Sequence, residues 1–275
     1  MKRKDFGGKL LTTLTFVFLY LPIVVLIVFS FNSTKSRTQW TGFTLDWYRE
    51  LFTDSTIMSS LRTTLLVSVA AALIAAIIGT FAAIGFYNMK RRWRSPLLTI
   101  NNIPVVNADI ITGVSLSLLF VSSGAIFGFE LGFGTLLVAH ITFNIPYVIL
   151  SVMPKLYQLD RNLFEAAQDL GCTWFQTIYK VIIPEIMPGI VNGLLIAFTM
   201  SVDDFVISYF TAGSNVQTLS MTIYAMTRRR ISPKINAIST LLFAVVLILL
   251  VVVNVREARQ QKAELKKEKM LKGAS

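Results

Sequence analysis

Apolar residues along this chain gather into long runs separated by polar segments. Six of the runs are long enough to cross a hydrocarbon layer of ~30 Å as helices. They extend over about Leu10–Phe31, Leu61–Tyr87, Leu97–Ser122, Gly134–Val152, Gly189–Phe210 and Ile235–Val255. The first predicts an uncleaved membrane helix, because it outlasts a signal-peptide core and no small-residue cleavage site follows it. In the second, Ala71, Ala75, Gly79 and Ala83 recur at every fourth position. That spacing predicts a face of small side chains that packs tightly on another helix. The sixth run is the most uniformly apolar and predicts a lipid-facing helix.

Polar residues inside these runs are the exceptions that ask for chemistry. Asn101, Asn102, Pro104, Asn107 and Asp109 all fall in the first half of the third run. Asp109 stands about twelve residues into it, near the bilayer midplane at about 1.5 Å per residue. An ionisable group at that depth faces an aqueous path or pairs with a group of an adjoining subunit. The fifth run contains Ser201-Val202-Asp203-Asp204-Phe205. Helical spacing puts Ser201, Asp204, Ser208 and Thr211 on one stripe, with Asp203 about 100° away beside Thr199. These carboxylates either solvate the outer end of a tilted or broken helix or line a path for cations. His140 has Thr142 and Asn144 nearby but no carboxylate or second histidine at ligand spacing. It predicts a hydrogen-bonded structural role and neither a metal site nor a proton relay.

Asp160–Pro188 is a polar interlude that reads as two short helices. Asn162, with Glu165 three residues on, predicts the cap of the first helix, and Gly171 its left-handed stop. Thr173 and Gln176 repeat the capping pattern for the second. Pro184 and Pro188 predict the points where the chain turns back into the membrane. Between the first two runs, residues 32–60 hold Trp40, Phe43, Trp47, Tyr48 and Phe52, aromatics that suit a membrane interface.

Composition sharpens this picture. Hydrophobic residues make up 54% of the 275 positions and charged residues 15%, which predicts an integral membrane protein. The formal net charge of +11 comes from basic residues at the ends of apolar runs, notably Met89–Arg94 and the tail Arg256–Lys272. Membrane orientation explains them without a nucleic-acid partner. Six spans place both termini and the Asp160–Pro188 segment in the cytoplasm. Arg228, Arg229 and Arg230 then fall outside, against the positive-inside rule, as a docking surface for a soluble partner or a headgroup-binding cluster. Cys172 is the single cysteine, so no disulfide forms within the chain. No phosphate-binding loop, nucleophilic triad or metal-ligand pair occurs in the sequence, which predicts no catalytic residue and no metal.

Glu165-Ala166-Ala167, then Gly171, then Val181-x-Ile183-Pro184 resemble the signature cytoplasmic loop of binding-protein-dependent ABC importer permeases. Beyond the loop, Tyr20-Leu21-Pro22-Ile23, Ser30-Phe31-Asn32-Ser33, His140-Ile141-Thr142-Phe143, Ser201-Val202-Asp203-Asp204 and Asp109 resemble the PotC-type permeases of spermidine/putrescine importers. The resemblance implies an all-α integral membrane protein of the type I ABC importer permease fold, with six transmembrane helices and a cytoplasmic coupling helix. Residues 1–9 would be a cytoplasmic N-terminus, 10–255 the permease domain with its coupling loop at 155–188, and 256–275 a basic cytoplasmic tail. Glu165, Ala166, Ala167, Gly171 and Pro184 would serve coupling to an ATPase, while Trp47, Asp109, Asp203 and Asp204 would line the substrate path. The implied partners are a second homologous permease, two copies of an ABC ATPase that bind ATP and Mg, an extracytoplasmic solute-binding protein and the lipid bilayer of a bacterial cell membrane. This chain itself needs no cofactor. The Arg228–Arg230 cluster and the longer basic tail depart from that type. An ABC import permease for iron or phosphonate is the alternative within the class, and a secondary transporter or channel the alternative outside it.

Overall fold

The computed structural model describes residues 4–273 apart from 35–38, 161 and 230–232. Among the described residues the chain is helical, with an isolated bridge between Asn32 and Phe43 and no strand. In order, the helices are α1 (Lys4–Ser30), α2 (Asp46–Thr53), α3 (Ser55–Asn88), α4 (Arg91–Val106), α5 (Asp109–Phe127) and α6 (Phe133–Gln158). They continue with α7 (Asn162–Asp169), α8 (Trp174–Thr177), α9 (Ile183–Asp203), α10 (Val206–Thr211), α11 (Leu219–Arg229) and α12 (Pro233–Gly273). A π turn at Ile178–Ile182 joins α8 to α9 without a break. Among the described residues six stretches are long and apolar enough to cross a membrane: Gly8–Ser30, Ser55–Asn88, Asp109–Phe127, Phe133–Gln158, Trp174–Asp203 and Pro233–Val252.

The chain divides into two compact units, Met1–Ser59 with Thr222–Val252, and Ser60–Met221 with Val253–Ser275. In the first, α1 has an almost wholly exposed apolar surface suited to lipid. In the second, α3, α6 and α9 share the main core. Ala72, Ala75 and Ala83 of α3 meet Val148, Ile149, Val152, Met153 and Leu156 of α6, with Ile186 and Ala197 of α9. The small-residue face expected on α3 is buried throughout. A Cβ added to Gly79 would come within 2.8 Å of Val148, and one added to Gly193 of α9 within 3.1 Å of the Val148 Cα. Val148 is therefore wedged between two glycines, and close backbone approach sets both crossings.

Two of the expected spans differ from what the structure contains. The third run is two helices: α4 ends at Val106, and Asn107 and Ala108 are extended before α5 begins. Pro104 removes one backbone donor in the last turn of α4, and the Asp109 carboxylate suits the positive end of a new helix. Asp109 is thus in the first turn of α5, not midway along a span. The fifth run starts earlier and stops sooner than expected. Pro184 and Pro188 do not turn the chain but lie inside the continuous helix from Trp174 to Asp203. The π turn just ahead of Pro184 accommodates the missing N–H, with the Ile183 N–H reaching back five residues to the Ile178 carbonyl. At the other end Asp204 is extended and α10 follows as a separate short helix.

Candidate functional site

The polar interlude folds as the cap chemistry dictates at two of its three cap signals. Gly171 adopts a left-handed φ of +86°. Its N–H bonds the Gln168 carbonyl at 2.8 Å, and the Cys172 N–H bonds the Ala167 carbonyl at 3.1 Å, the paired closure of a Schellman motif. Thr173 and Gln176 form the expected reciprocal cap: the Gln176 N–H donates to Thr173 Oγ1 at 3.4 Å and the Thr173 N–H to Gln176 Oε1 at 3.0 Å. The third signal is corrected. Asn162 lies within α7 and is not its cap, and its N–H donates to the Asp160 carboxylate at 3.0 Å. A carboxylate two residues earlier out-competes the amide for the orphan donors.

Within this segment Ala167 is buried against the protein while Glu165 and Ala166 are exposed. Glu165 lies at the rim of a cleft of about 440 Å³ lined by Tyr87, Arg94, Tyr157, Asp160 and Phe164. Leu170, Phe175 and Tyr179 expose 87%, 78% and 74% of their surface. Large apolar side chains exposed to this degree suit protein contact.

Trp47 belongs to the other unit. Its indole N–H donates to the Asn32 carbonyl at 2.8 Å. Asn32 is buried and organises the loop, its side chain donating to the Gln39 carbonyl and accepting from the Thr41 N–H. Phe31 stacks on both Phe43 and Tyr48. The Trp47 ring is half-buried, so this residue pins the loop and leaves part of one edge open. Of the arginine cluster, Arg228 stacks over Tyr224 at 5.0 Å, Arg229 closes α11, and Arg230 lies outside the described residues.

The three carboxylates expected on the substrate path fall in the unit formed by α3 to α10. Gly113 of α5 sits against Ile207 and Phe210 of α10. Asp109 precedes that crossing by four residues on α5, and Asp204 precedes Ile207 by three, so each lies about one helical turn from it. Asp109 and Asp203 are exposed. Asp204 turns inward, where its carboxylate accepts the N–H groups of Ile207 at 3.2 Å and Ser208 at 2.7 Å and caps α10. Ser220 Oγ donates to the Asp204 carbonyl at 2.7 Å. His140 is buried beside it, with Nδ1 hydrogen-bonded to Ser201 Oγ, Nε2 3.0 Å from Ser208 Oγ and 3.6 Å from the Asp204 carboxylate. The helical stripe of Ser201, Asp204 and Ser208 thus survives the break and closes on one imidazole. Among the described residues no cluster of three metal-ligating side chains occurs.

The family described as the binding-protein-dependent transport system inner membrane component matches residues 75–260. The chain belongs to that family. The putrescine transport system permease protein PotI of Escherichia coli (strain K12) is 40% identical over 236 residues, which cover 85% of this chain and 84% of that protein. The spermidine/putrescine transport system permease protein PotC of the same strain is 34% identical over 239 residues, 87% and 89% of the two chains. Among solved structures, a bacterial alginate ABC transporter in complex with an alginate pentasaccharide-bound periplasmic protein aligns with 94% of this chain and 95% of its own, with a TM-score of 0.69 at 18% identity. The inward-facing MetNI methionine ABC transporter covers 75% and 98%, with a TM-score of 0.58 at 20% identity. The fold is that of a type I ABC importer permease.

One continuous helix runs from beside the predicted coupling turn to Asp203. Thr173-capped α8 stands beside the Glu165–Gly171 turn, and Asp203 closes the same continuous helix at its far end. Sequence reasoning missed the part His140 takes with Asp204. The stripe through Ser201 and Ser208 was the available signal, since two hydroxyls beside a carboxylate inside a membrane helix need a partner from elsewhere.

Proposed function

We propose that this permease is the transmembrane subunit of an ATP-driven importer for polyamines of the putrescine and spermidine class. The observation that carries the reading is the position of Asp109 and Asp203, two exposed carboxylates on helices that border the crossing of α5 and α10. A polyamine holds ammonium groups apart by short methylene runs, so spaced acceptors with apolar walls between them suit it, whereas an anionic cargo would be repelled. Similarity to PotI and PotC along most of the chain supports the same cargo. The energy comes from ATP and Mg on two copies of a partner ATPase seated on the Glu165–Gly171 turn. A second permease completes the path, and an extracytoplasmic solute-binding protein delivers the cation. Both termini and the coupling segment face the cytoplasm of a bacterial cell. This chain hydrolyses nothing itself.

The test is uptake of labelled putrescine and spermidine by the assembled complex carrying Asp109→Asn or Asp203→Asn. Each variant should slow uptake about tenfold, equivalent to about 1.4 kcal/mol of lost cation stabilisation, while capture by the binding protein is unchanged. Unaltered uptake in both overturns the role of these charges. Loss of complex assembly in Asp109→Asn assigns that carboxylate to the subunit interface.

A further inference from the structure

Inside the α3 to α10 unit, the hydrogen bonds around the α9–α10 joint run in one consistent direction. The Asp204 Oδ2 receives the Ser208 backbone N–H at 2.7 Å, so that oxygen is an acceptor, and Ser208 Oγ stands 2.8 Å from it. The Ser208 hydroxyl therefore directs its single proton to Asp204. Its oxygen lies 3.0 Å from His140 Nε2. With its proton committed it accepts there, and Nε2 carries the hydrogen. A neutral imidazole protonated at Nε2 leaves Nδ1 bare, and Nδ1 accepts from Ser201 Oγ. The order is Ser201 to His140 to Ser208 to Asp204, each donating to the next. All four are closed off from solvent: His140 is 1% exposed, Ser201 2%, Ser208 0% and the Asp204 side chain 9%.

Ser201 lies in α9 before the break and Ser208 in α10 after it. His140, on α6, is bonded to both sides of the joint. The Nε2 to Asp204 distance of 3.6 Å is too long for a direct hydrogen bond, so the imidazole acts on the carboxylate through Ser208. We propose that His140 is a positioning residue for translocation: through Ser208 it fixes the side-chain orientation of Asp204 and, with Ser201, the angle between α9 and α10. The inference rests on the reading that an organic cation passes the exposed Asp203 at the α9–α10 joint. It deepens that reading by assigning the setting of the α9–α10 joint to α6. A broken helix at membrane depth is tolerated where protein groups satisfy its free backbone. Here Asp204 caps the start of α10, Ser220 takes the Asp204 carbonyl, and His140 holds the flanking hydroxyls in place.

The experiment compares His140→Gln with His140→Asn in the assembled importer. A glutamine amide nitrogen reaches the place of Nε2 and keeps the bond to Ser208, whereas the asparagine amide reaches only the place of Nδ1. His140→Gln should keep putrescine uptake within about twofold, and His140→Asn should lower it about tenfold. Ser208→Ala, which leaves His140 and Asp204 in place, should lower uptake like His140→Asn. The double variant His140→Asn with Ser208→Ala should be no slower than either single one. ATP hydrolysed per amine carried should rise in both single variants, a split that plain loss of folded protein would not produce. Equal rates for the Gln and Asn variants, additive losses in the double variant, or wild-type uptake by Ser208→Ala would each overturn the inference. If His140→Asn does not assemble, Ser208→Ala alone decides it. No amine uptake by the unaltered complex would overturn the cargo reading and this inference together, whereas uptake with equal Gln and Asn rates overturns the inference alone.

Discussion

Asp54 serves two purposes at the start of α3. One carboxylate oxygen accepts the N–H groups of Thr56 at 3.0 Å and Ile57 at 3.2 Å, and the other accepts from Lys234 Nζ at 2.7 Å. The hydrogen bond from Lys234 holds its pKa below the ordinary value of 3.8, against the opposing effect of burial. A depressed carboxylate pKa contributes stability that is complete above the ordinary value and is lost as the pH falls through the lowered one. Asp54→Asn keeps a capping oxygen and removes the charge. Its unfolding midpoint should fall by about 2 °C at pH 7, as for a partly exposed ion pair, and the difference should shrink as the pH falls below 3.8 and through the lowered value. Thermal unfolding across that range checks this, and a gap that does not narrow on acidification would overturn it. At this scale the sequence is readable where partners are close along the chain. The Thr173–Gln176 cap needs three residues of context and was legible. His140 meets Ser201 and Ser208 across separations of 61 and 68 residues; only the packing of α6 on α9 and α10 joins them, so its hydrogen-bonded role was legible and its partner was not.

Single helices carry the next set of consequences. The α6–α9 crossing has no room for a side chain at Gly193, where a Cβ would meet the Val148 Cα at 3.1 Å. Gly193→Val should cost about 1–3 kcal/mol by overpacking, seen as lower membrane abundance and a lower unfolding temperature. Gly85, near the end of α3, has no heavy atom within 4 Å of an added Cβ, and Gly85→Ala should be tolerated or slightly stabilising. Equal behaviour of the two variants would remove Gly193 as the contact that sets the crossing. In the coupling segment, Glu165 and Ala166 are exposed beside Leu170, Phe175 and Tyr179. Glu165→Arg should leave solute capture intact and abolish substrate-stimulated ATP hydrolysis; a variant that kept that stimulation would refute the docking role. The small-residue face of α3 was legible because a four-residue repeat maps directly onto one helix face. The division of the third run was not. Hydropathy sums over a run, whereas Pro104 and the extended Asn107–Ala108 pair act at single backbone positions.

For the whole molecule, six apolar stretches among the described residues are long enough to cross a membrane, and the proposed orientation puts Arg229 outside and Glu165 in the cytoplasm. A cysteine at Arg229, in a chain whose Cys172 is replaced by serine, should react with a membrane-impermeant maleimide in intact spheroplasts. One at Glu165 should react only after permeabilisation; reversal of the two would overturn the orientation. The number of spans was legible from hydropathy alone, while the endpoint of the fifth was hidden by the expectation that prolines interrupt it. That misplaced endpoint matters mechanically. From Trp174 to Asp203 the backbone is one helix of 30 residues, about 45 Å of strut at 1.5 Å per residue. A nudge delivered by the ATPase to the turn beside Trp174 would then arrive at Asp203 as the movement of a stiff pushrod, without backlash from an intervening loop. The wider π turn ahead of Pro184 is where such a rod would yield first under load.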